Sequence, residues 1–476
     1  MREYDVIVVG GGSAGYAAAR TVATSGIKVA LVEGAEQTAG LCILQGCMPT
    51  KALLESAHRF HEMKRANEFG LNADELGVNW EKIVQRKNSL IRDFASYREQ
   101  QQANGQFDFI RARARFIDAY TLEMTLRDSN EIEYLKSKYF IIATGSRVRA
   151  KDLPGLEEVG YITSNEALEM TTPPRSMTVL GAGPVALELA QYFSSLGVEV
   201  SVIQRSSQIL SSEDEDAAKV LEDVLRREGM RVFTSTKLQS FECGHTKKEK
   251  KLIFEHNDQI KSLQSEEILY ALGREPNTDG LNLEQAGVQL KAGRIVTNKT
   301  QQSSQSHIFA AGDVCGPYEI VHIAIQQGEM AGQNVLALLE ANQTNPGLQE
   351  VDYRLLLSVV FTNPELAKVG KTEKQLKAEG IKYLKASYPF DDHGKSMIMG
   401  ATDGFVKVLA EPGTGKILGG QIVGPHASDL IHELMTLMYF NGTVHDLASM
   451  PHYHPTVAEI LTYPAEDIME QMANVA

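Results

Sequence analysis

Cysteine is scarce in this chain, with four in 476 residues. That excludes the disulfide framework that holds small secreted domains together. Positive charge is also short: 47 Lys and Arg stand against 61 Asp and Glu, for a formal net charge of −14. No nucleic-acid partner is expected from that balance, which mainly favours solubility. Long apolar runs are missing, and Tyr4 to Val9 already reads as a strand, so neither a leader nor a membrane partner is expected. What remains, 43% hydrophobic and 23% charged, is ordinary globular composition. The length asks for about two to four domains. A cytoplasmic, reducing location follows as the expectation.

The few cysteines are unevenly placed. Cys42 and Cys47 share the stretch Gly40-Leu41-Cys42-Ile43-Leu44-Gln45-Gly46-Cys47-Met48-Pro49-Thr50-Lys51. Five residues of α-helix rise about 7.5 Å, whereas bridged cysteines hold their Cα atoms roughly 4.4–6.8 Å apart. A Cys42–Cys47 bridge would therefore sit where a helix is broken or just beginning. Gly46 loosens the backbone there, and Pro49 suits the first turn of a helix continued by Ala52, Leu53, Leu54 and Ala57. A thiol at that entry has its thiolate favoured by the helix dipole. The pair reads as redox-active or metal-binding, against the plainer alternative of two unrelated buried cysteines; no metal ligands are assigned. Cys243 and Cys315 have no close neighbour in sequence and are expected to be unpaired.

Glycine marks two further sites. Asp5 to Val9 is an apolar run that ends in Gly10-Gly11-Gly12-Ser13-Ala14-Gly15, followed by an alanine-rich helix, a strand from Lys28 to Val32, and Glu33. This is the complete βαβ dinucleotide fingerprint. Gly10 permits the tight turn, Gly12 the approach of a pyrophosphate, and Gly15 the packing of helix on sheet. Glu33 can accept from a ribose hydroxyl. The pattern recurs as Met177 to Leu180, then Gly181-Ala182-Gly183-Pro184-Val185-Ala186, with Ala186 in the third glycine's place, and a strand from Glu199 to Ile203. Here Gln204-Arg205 replaces the acid. An arginine can meet a 2′-phosphate, so NADPH is favoured over NADH; the alternative is an arginine that merely faces solvent.

Other segments are less specific. Tyr139 to Gly145 and Ile308 to Asp313 read as buried strands ending in glycine turns, and Tyr270 to Thr278 as a strand turning into loop at Gly273. Glu242 to Lys261, which includes Lys247-Lys248-Glu249-Lys250-Lys251, reads as a solvated loop or hairpin. From Asn345-Pro346-Gly347 onward, strands alternate with helices in an α+β texture. Near the end stands Pro451-His452-Tyr453-His454-Pro455-Thr456-Val457-Ala458-Glu459. His454 is a candidate acid–base group, while Thr456 and Glu459 have the spacing of a capping box.

Taken in order, Gly10–Gly15 with Glu33, Cys42–Lys51, Ala143–Gly145, Gly181–Glu188, Gly273–Thr278, Ala311–Asp313, Phe361–Gly370 and His454–Glu459 closely resemble the flavin-dependent pyridine nucleotide-disulfide oxidoreductases. These include dihydrolipoamide dehydrogenase, glutathione reductase and mercuric reductase. The resemblance implies an α/β fold with two Rossmann-like domains and a C-terminal α+β dimerisation domain. Residues 1–148 and 275–344 would form the FAD domain, 149–274 the NAD(P)H domain, and 345–476 the dimer domain. It further implies that Cys47 contacts the flavin by charge transfer, that Cys42 attacks the substrate, and that Lys51 and Glu188 pair beside the flavin. Asp313 would hold the ribityl chain, and Ser13, Ala14, Thr144, Gly145, Gly312 and His322 would complete the FAD set. Gly181, Gly183, Ala186, Glu188, Gln204, Arg205 and Gly273 would serve NAD(P)H. His454 and Glu459 would act on the partner subunit's disulfide, giving a homodimer with shared sites and a small disulfide or dithiol substrate.

Within the family, Ala186 to Gln191 with Arg205-Ser206 looks most like mercuric reductase, but Asp467 to Ala476 lacks that enzyme's cysteine pair. Glu329 and Pro184 stand where glutathione reductase usually has arginine and tyrosine. Dihydrolipoamide dehydrogenase tolerates both, yet usually has an acid at Gln204. A lipoamide-like substrate comes first. Other low-molecular-weight disulfides, metal ions or quinones, and a docking role in an acyl-transfer complex, stay open beside it.

Overall fold

The computed structural model describes residues 1–149, 152–244, 246, 249–340 and 347–474. The chain forms two compact units: Met1–Pro49, Gln85–Ala150 and Gly273–Asp352 make the first; Thr50–Val84, Lys151–Leu272 and Tyr353–Ala476 make the second.

The first unit is built on a parallel sheet whose central strand is Arg2–Val9. Val6, Ile7 and Val8 are fully buried, as expected for a strand covered on both faces. It pairs in parallel with Val29–Glu33 on one side and with Ile132–Ile142 on the other, and Ile308–Ala310 adds beyond the latter. Asp108–Phe116 and Thr121–Leu126 continue the sheet, the second running antiparallel. Helix Ser13–Ala23 packs closely on helix Val321–Glu340. Small residues permit this: a Cβ on Gly328 would stand 2.2 Å from the Ala14 carbonyl oxygen.

The second unit holds three sheets. One is parallel, in the order Glu267–Tyr270, Ser176–Leu180, Glu199–Ile203, Arg231–Phe233. Beside it, Thr236–Cys243, Lys250–His256 and Gln259–Ser265 form an antiparallel meander. This is the hairpin of the two readings given for Glu242 to Lys261, with a third strand added. Leu252 and Phe254 alternate inward and are buried, and Asn257 and Asp258, both with positive φ, make the two-residue hairpin turn. Charged neighbours mask that two-residue period in the sequence. His245, Lys247 and Lys248 lie outside the described residues, as do Asn345 and Pro346 at the expected domain boundary.

The third sheet has five antiparallel strands in the order Leu357–Val360, Glu365–Gly370, Ile417–Gly424, Phe405–Ala410, Leu384–Pro389. Helix Ala427–Tyr439 buries Ile431, Leu434 and Met438 in the core of this sheet. The closeness is again set by glycine, since a Cβ on Gly420 would meet Leu434 Cδ1 at 2.4 Å. The expected α+β texture of the C-terminal region is present.

Candidate active site

In the first unit, three neighbouring strands deliver the expected flavin residues. Register pairs Val9 with Ile142, and Ile142 with Ala310. Gly10–Gly15, Thr144–Gly145 and Gly312–Asp313 therefore all leave the carboxyl edge of the sheet side by side, where open α/β sheets bind ligands. The first turn is crowded. Gly10 has φ +104, and a Cβ there would stand 2.4 Å from the Ala143 carbonyl oxygen. A Cβ on Gly15 would overlap the Gly10 carbonyl oxygen at 1.8 Å.

Glu33 is buried, and both its oxygens are held. Oε2 accepts from the Gly11 N–H at 2.7 Å and Oε1 from the Ala35 N–H at 2.6 Å. Fully buried Gln102 donates to the Gly11 carbonyl at 2.9 Å. Across the edge, the Ser146 hydroxyl donates to Asp313 Oδ2 at 2.6 Å, and Arg274 donates to Ser146 Oγ at 2.8 Å. Burial pushes the Asp313 carboxyl above its usual range. Gly312 N–H donates to Gln327 at 2.7 Å, and Thr144 Oγ1 donates to the Asn277 carbonyl at 2.7 Å. Ser13 is half-buried, Ala14 buried, and His322 exposed at the second position of its helix. A glycine turn at a helix start, a buried acid and a second acid across the edge together fit a flavin dinucleotide.

The cysteine stretch is packed onto that turn. Gly40 has φ +79, and a Cβ there would stand 2.6 Å from Gly12 Cα. Cys42 lies in the short helix Gly40–Leu44, the chain departs from helix at Gln45, and Cys47 opens helix Cys47–Lys64. The break falls between the cysteines, as their spacing requires. A Cβ on Gly46 would come within 3.2 Å of Cys42 Cα, so glycine lets the chain fold back there. Both cysteines are half-buried. Cys315 is not disulfide-bonded; burial raises its thiol to about 12, and Cys243 is exposed.

In the second unit, Lys51 Nζ donates to Glu188 Oε2 at 2.8 Å. Glu188, 3% exposed, also accepts the Phe361 N–H at 3.0 Å, and the Lys51 ammonium lies 4.7 Å from the Phe361 ring centroid. An acid this deeply buried needs such partners. The second glycine turn is open by contrast. Gly181, with φ +105, backs onto the Ala271 carbonyl at 2.5 Å from its would-be Cβ, but nothing lies within 4 Å of a Cβ on Gly183. Ala186 is buried in the helix that follows. Gln204 is half-buried; Arg205 is exposed and, among the described residues, holds no ion pair. In the first unit, Gly273 has φ +108 and open space at its Cβ position.

His454 Nδ1 lies 2.8 Å from Glu459 Oε1, and Glu459 Oε2 accepts the Thr456 N–H at 2.8 Å. One carboxylate thus serves both expected roles, a cap with one oxygen and a histidine partner with the other. The Thr456 N–H holds the Glu459 carboxyl below its usual range, and His454 assists. The His454 side chain is 83% exposed.

The expected residues fall into groups: the flavin set with Cys42 and Cys47 in one unit, and the Lys51–Glu188 pair, the second turn and the His454–Glu459 pair in the other. Sequence reading passed over Gly11, Gly40, Gln102, Ser146, Arg274 and Phe361. Gly11 and Gly40 were visible inside their motifs, Arg274 beside Gly273, and Phe361 as a family marker without a role; Gln102 and Ser146 carried no signal. Glu329, noted against glutathione reductase, pairs with Arg20 at 3.0 Å. Among the described residues no helix is long and apolar enough to cross a membrane, and no group of His, Cys, Asp and Glu could hold a metal ion.

Comparison with known proteins agrees with this geometry. The model of the pyridine nucleotide-disulphide oxidoreductase family matches residues 4–328, and that of its dimerisation domain matches residues 356–465. A dihydrolipoyl dehydrogenase of Bacillus subtilis is 33% identical over 96% of each chain. A mercuric reductase of Staphylococcus aureus is 32% identical over 97% of this chain and 82% of its own. The crystal structure of LpdA from Mycobacterium tuberculosis superposes with a TM-score of 0.86 at 25% identity, covering 98% of this chain and all of the other. The chain belongs to the pyridine nucleotide-disulphide oxidoreductase family, enzymes that bind FAD, use NAD(P)H and carry a dimerisation domain.

Proposed function

We propose that this chain is a cytoplasmic dithiol–disulfide oxidoreductase of the dihydrolipoyl dehydrogenase kind, a homodimer with shared sites that favours NADPH over NADH. The observation that supports the substrate class is the His454–Glu459 pair. A carboxylate only accepts, so Nδ1 carries the hydrogen toward Glu459 and Nε2 faces outward, able to take a proton. An acid–base group so exposed suits a site completed by a second subunit.

When bound at the first turn, held by Gly10–Gly15, Glu33 and Asp313, a flavin supplies two-electron exchange between a nicotinamide and a dithiol. The chain's own residues manage sulfur and protons. In dithiol oxidation, His454 Nε2 takes the proton of one substrate thiol. The thiolate attacks the Cys42 sulfur of the Cys42–Cys47 disulfide, that S–S bond breaks, and Cys47 leaves as thiolate. The second substrate thiol loses its proton and attacks the substrate sulfur bonded to Cys42. The oxidised substrate departs, and its two electrons rest on the cysteine pair. Of the two protons, one goes to Cys42 and one to solvent. Cys47 begins its helix, so the helix dipole favours its thiolate. Glu188 keeps Lys51 in place.

The test is a steady-state screen of NADH and NADPH with lipoamide, oxidised glutathione, coenzyme A disulfide, quinones and mercuric ion. Lipoamide with NADPH should give the highest kcat/KM, and Cys42→Ser should abolish it. A better turnover of quinone or metal ion that survives Cys42→Ser would overturn the reading.

A further inference from the structure

The second glycine turn is followed, after strand Glu199–Ile203, by a connection of residues 204–214 that carries Arg205 and ends at Asp214, the N-cap of helix Glu215–Arg227. Its far end is buried: Ile209 is 0%, Leu210 3%, Asp214 4% and Glu213 6% exposed. Two buried carboxylates in one loop are costly unless paired. The Glu373 and Lys374 N–H groups donate to Asp214 at 3.1 Å, and further partners come from the C-terminal sheet. Lys368 Nζ donates to Glu213 Oε1 at 2.6 Å, and Gln421 Nε2 donates to Glu213 Oε2 at 3.1 Å. Lys407 Nζ donates to Asp214 Oδ2 at 2.8 Å. Strand register sets Lys368 opposite Gln421 and Gln421 opposite Lys407. The three form one buried polar row across adjacent strands of an otherwise apolar face.

From Glu213, hydrogen bonds lead back to the nucleotide end. Gln208 Nε2 donates to the Glu213 carbonyl at 3.1 Å, and Gln204 Nε2 donates to the Gln208 carbonyl at 3.4 Å. The Leu210 N–H donates to the carbonyl of Ala182, inside the glycine turn, at 2.9 Å. Arg205, exposed and without an ion pair among the described residues, has its place fixed by this backbone rather than by its own contacts.

We propose that the Lys368–Gln421–Lys407 row sets nucleotide selectivity from the C-terminal domain, by holding the 204–214 connection so that Arg205 meets the 2′-phosphate of NADPH. This rests on the NADPH preference proposed above. Lys368 and Gln208 are positioning residues; neither needs to touch the nucleotide. Loosening the connection should weaken the one contact that distinguishes NADPH from NADH and leave the contacts common to both.

The experiment measures the ratio of kcat/KM for NADPH to that for NADH, using holoenzyme with its preferred disulfide. Arg205→Gln should lower the ratio about 10–100-fold, the scale of a lost charged hydrogen bond. Gln208→Ala, which strands no charge, should lower it about 3–10-fold through KM for NADPH with kcat unchanged, and should add nothing to Arg205→Gln. Lys368→Met combined with Glu213→Gln removes both charges together and should act in the same direction; if that pair fails to fold, Gln208→Ala still decides. An unchanged ratio in Gln208→Ala, with Arg205→Gln effective, overturns the inference and spares the NADPH reading. So does a Gln208→Ala effect that persists undiminished on the Arg205→Gln background. An unchanged ratio in Arg205→Gln overturns the NADPH reading and the inference with it.

Discussion

The two glycine turns share one sequence pattern and are alike at their first glycine, Gly10 and Gly181, but differ beyond it. At the first, Gly10, Gly15 and Gly40 have no room for a Cβ, and both oxygens of the buried acid Glu33 accept backbone N–H groups. At the second, Gly183 faces open space, the acid's place is taken by half-buried Gln204, and Arg205 stands exposed. A close, fully hydrogen-bonded cradle suits a nucleotide that stays bound. An open turn with one projecting cation suits a nucleotide that arrives and leaves each cycle.

The largest expected effect comes from a change outside both turns, which should leave each of them working. His454→Gln should slow the disulfide half-reaction about 10²–10⁴-fold while flavin reduction by NAD(P)H is spared, as stopped-flow absorbance would report. Co-expressing a Cys42→Ser protomer with a His454→Gln protomer should restore one intact site per heterodimer. Heterodimers no more active than either parent would remove the crossed-site model.

Next, the turns themselves can be set against each other. Gly40→Ala forces a left-handed φ on alanine, at roughly 1–2 kcal/mol, and drives a Cβ onto Gly12. The purified protein should lose its flavin absorbance. Gly183→Ala should keep the flavin and raise KM for the nicotinamide nucleotide by roughly tenfold, about 1.4 kcal/mol. Equal flavin loss in both variants would erase the distinction. A change confined to one nucleotide is expected from Arg205→Glu, which should weaken NADPH use by about 1.5–3 kcal/mol with little effect on NADH. A wild type that strongly prefers NADH would contradict it.

The smallest effect concerns the anchoring of the second turn's connection. Burial raises the Glu373 carboxyl, but hydrogen bonds from Tyr383 and Lys385 and the charge of Lys407 prevail and bring it down to about 2. A depressed carboxyl contributes stability above its unfolded value and loses it as pH falls toward the folded one. Glu373→Gln should therefore be less stable than wild type at neutral pH by about 1–2 kcal/mol after screening. The gap should close between about pH 4.5 and pH 2. Denaturant unfolding across that range checks it, and a gap that widens in acid would contradict the assignment.

Much of this was legible in sequence because it is local. Gly10, Gly15 and Gly181 declare themselves through spacing after an apolar strand, and Cys42 and Cys47 through a separation that a regular helix cannot bridge. Thr456 and Glu459 gave the cap, and the same residues left room for the histidine pair. The remainder depends on residues distant in sequence. Gly40 is required by Gly12, Glu188 is held partly by the Phe361 backbone, and Gln102 reaches back to Gly11. Lys368, Gln421 and Lys407 lie in three strands and pair only through sheet register with a loop some 150 residues or more upstream. Read alone, each is a polar residue spoiling an apolar run. The meander from Lys250 to Ser265 was legible only as a loop or hairpin, its inward Leu252 and Phe254 being outnumbered by charged neighbours.

The contrast between a closed first turn and an open second one is tested most directly by what the protein carries when purified. Denaturing the undamaged enzyme after exhaustive dialysis and quantifying released nucleotides should give one FAD per chain and no nicotinamide nucleotide. Finding no flavin, or a nicotinamide nucleotide retained in equal amount, would contradict the account.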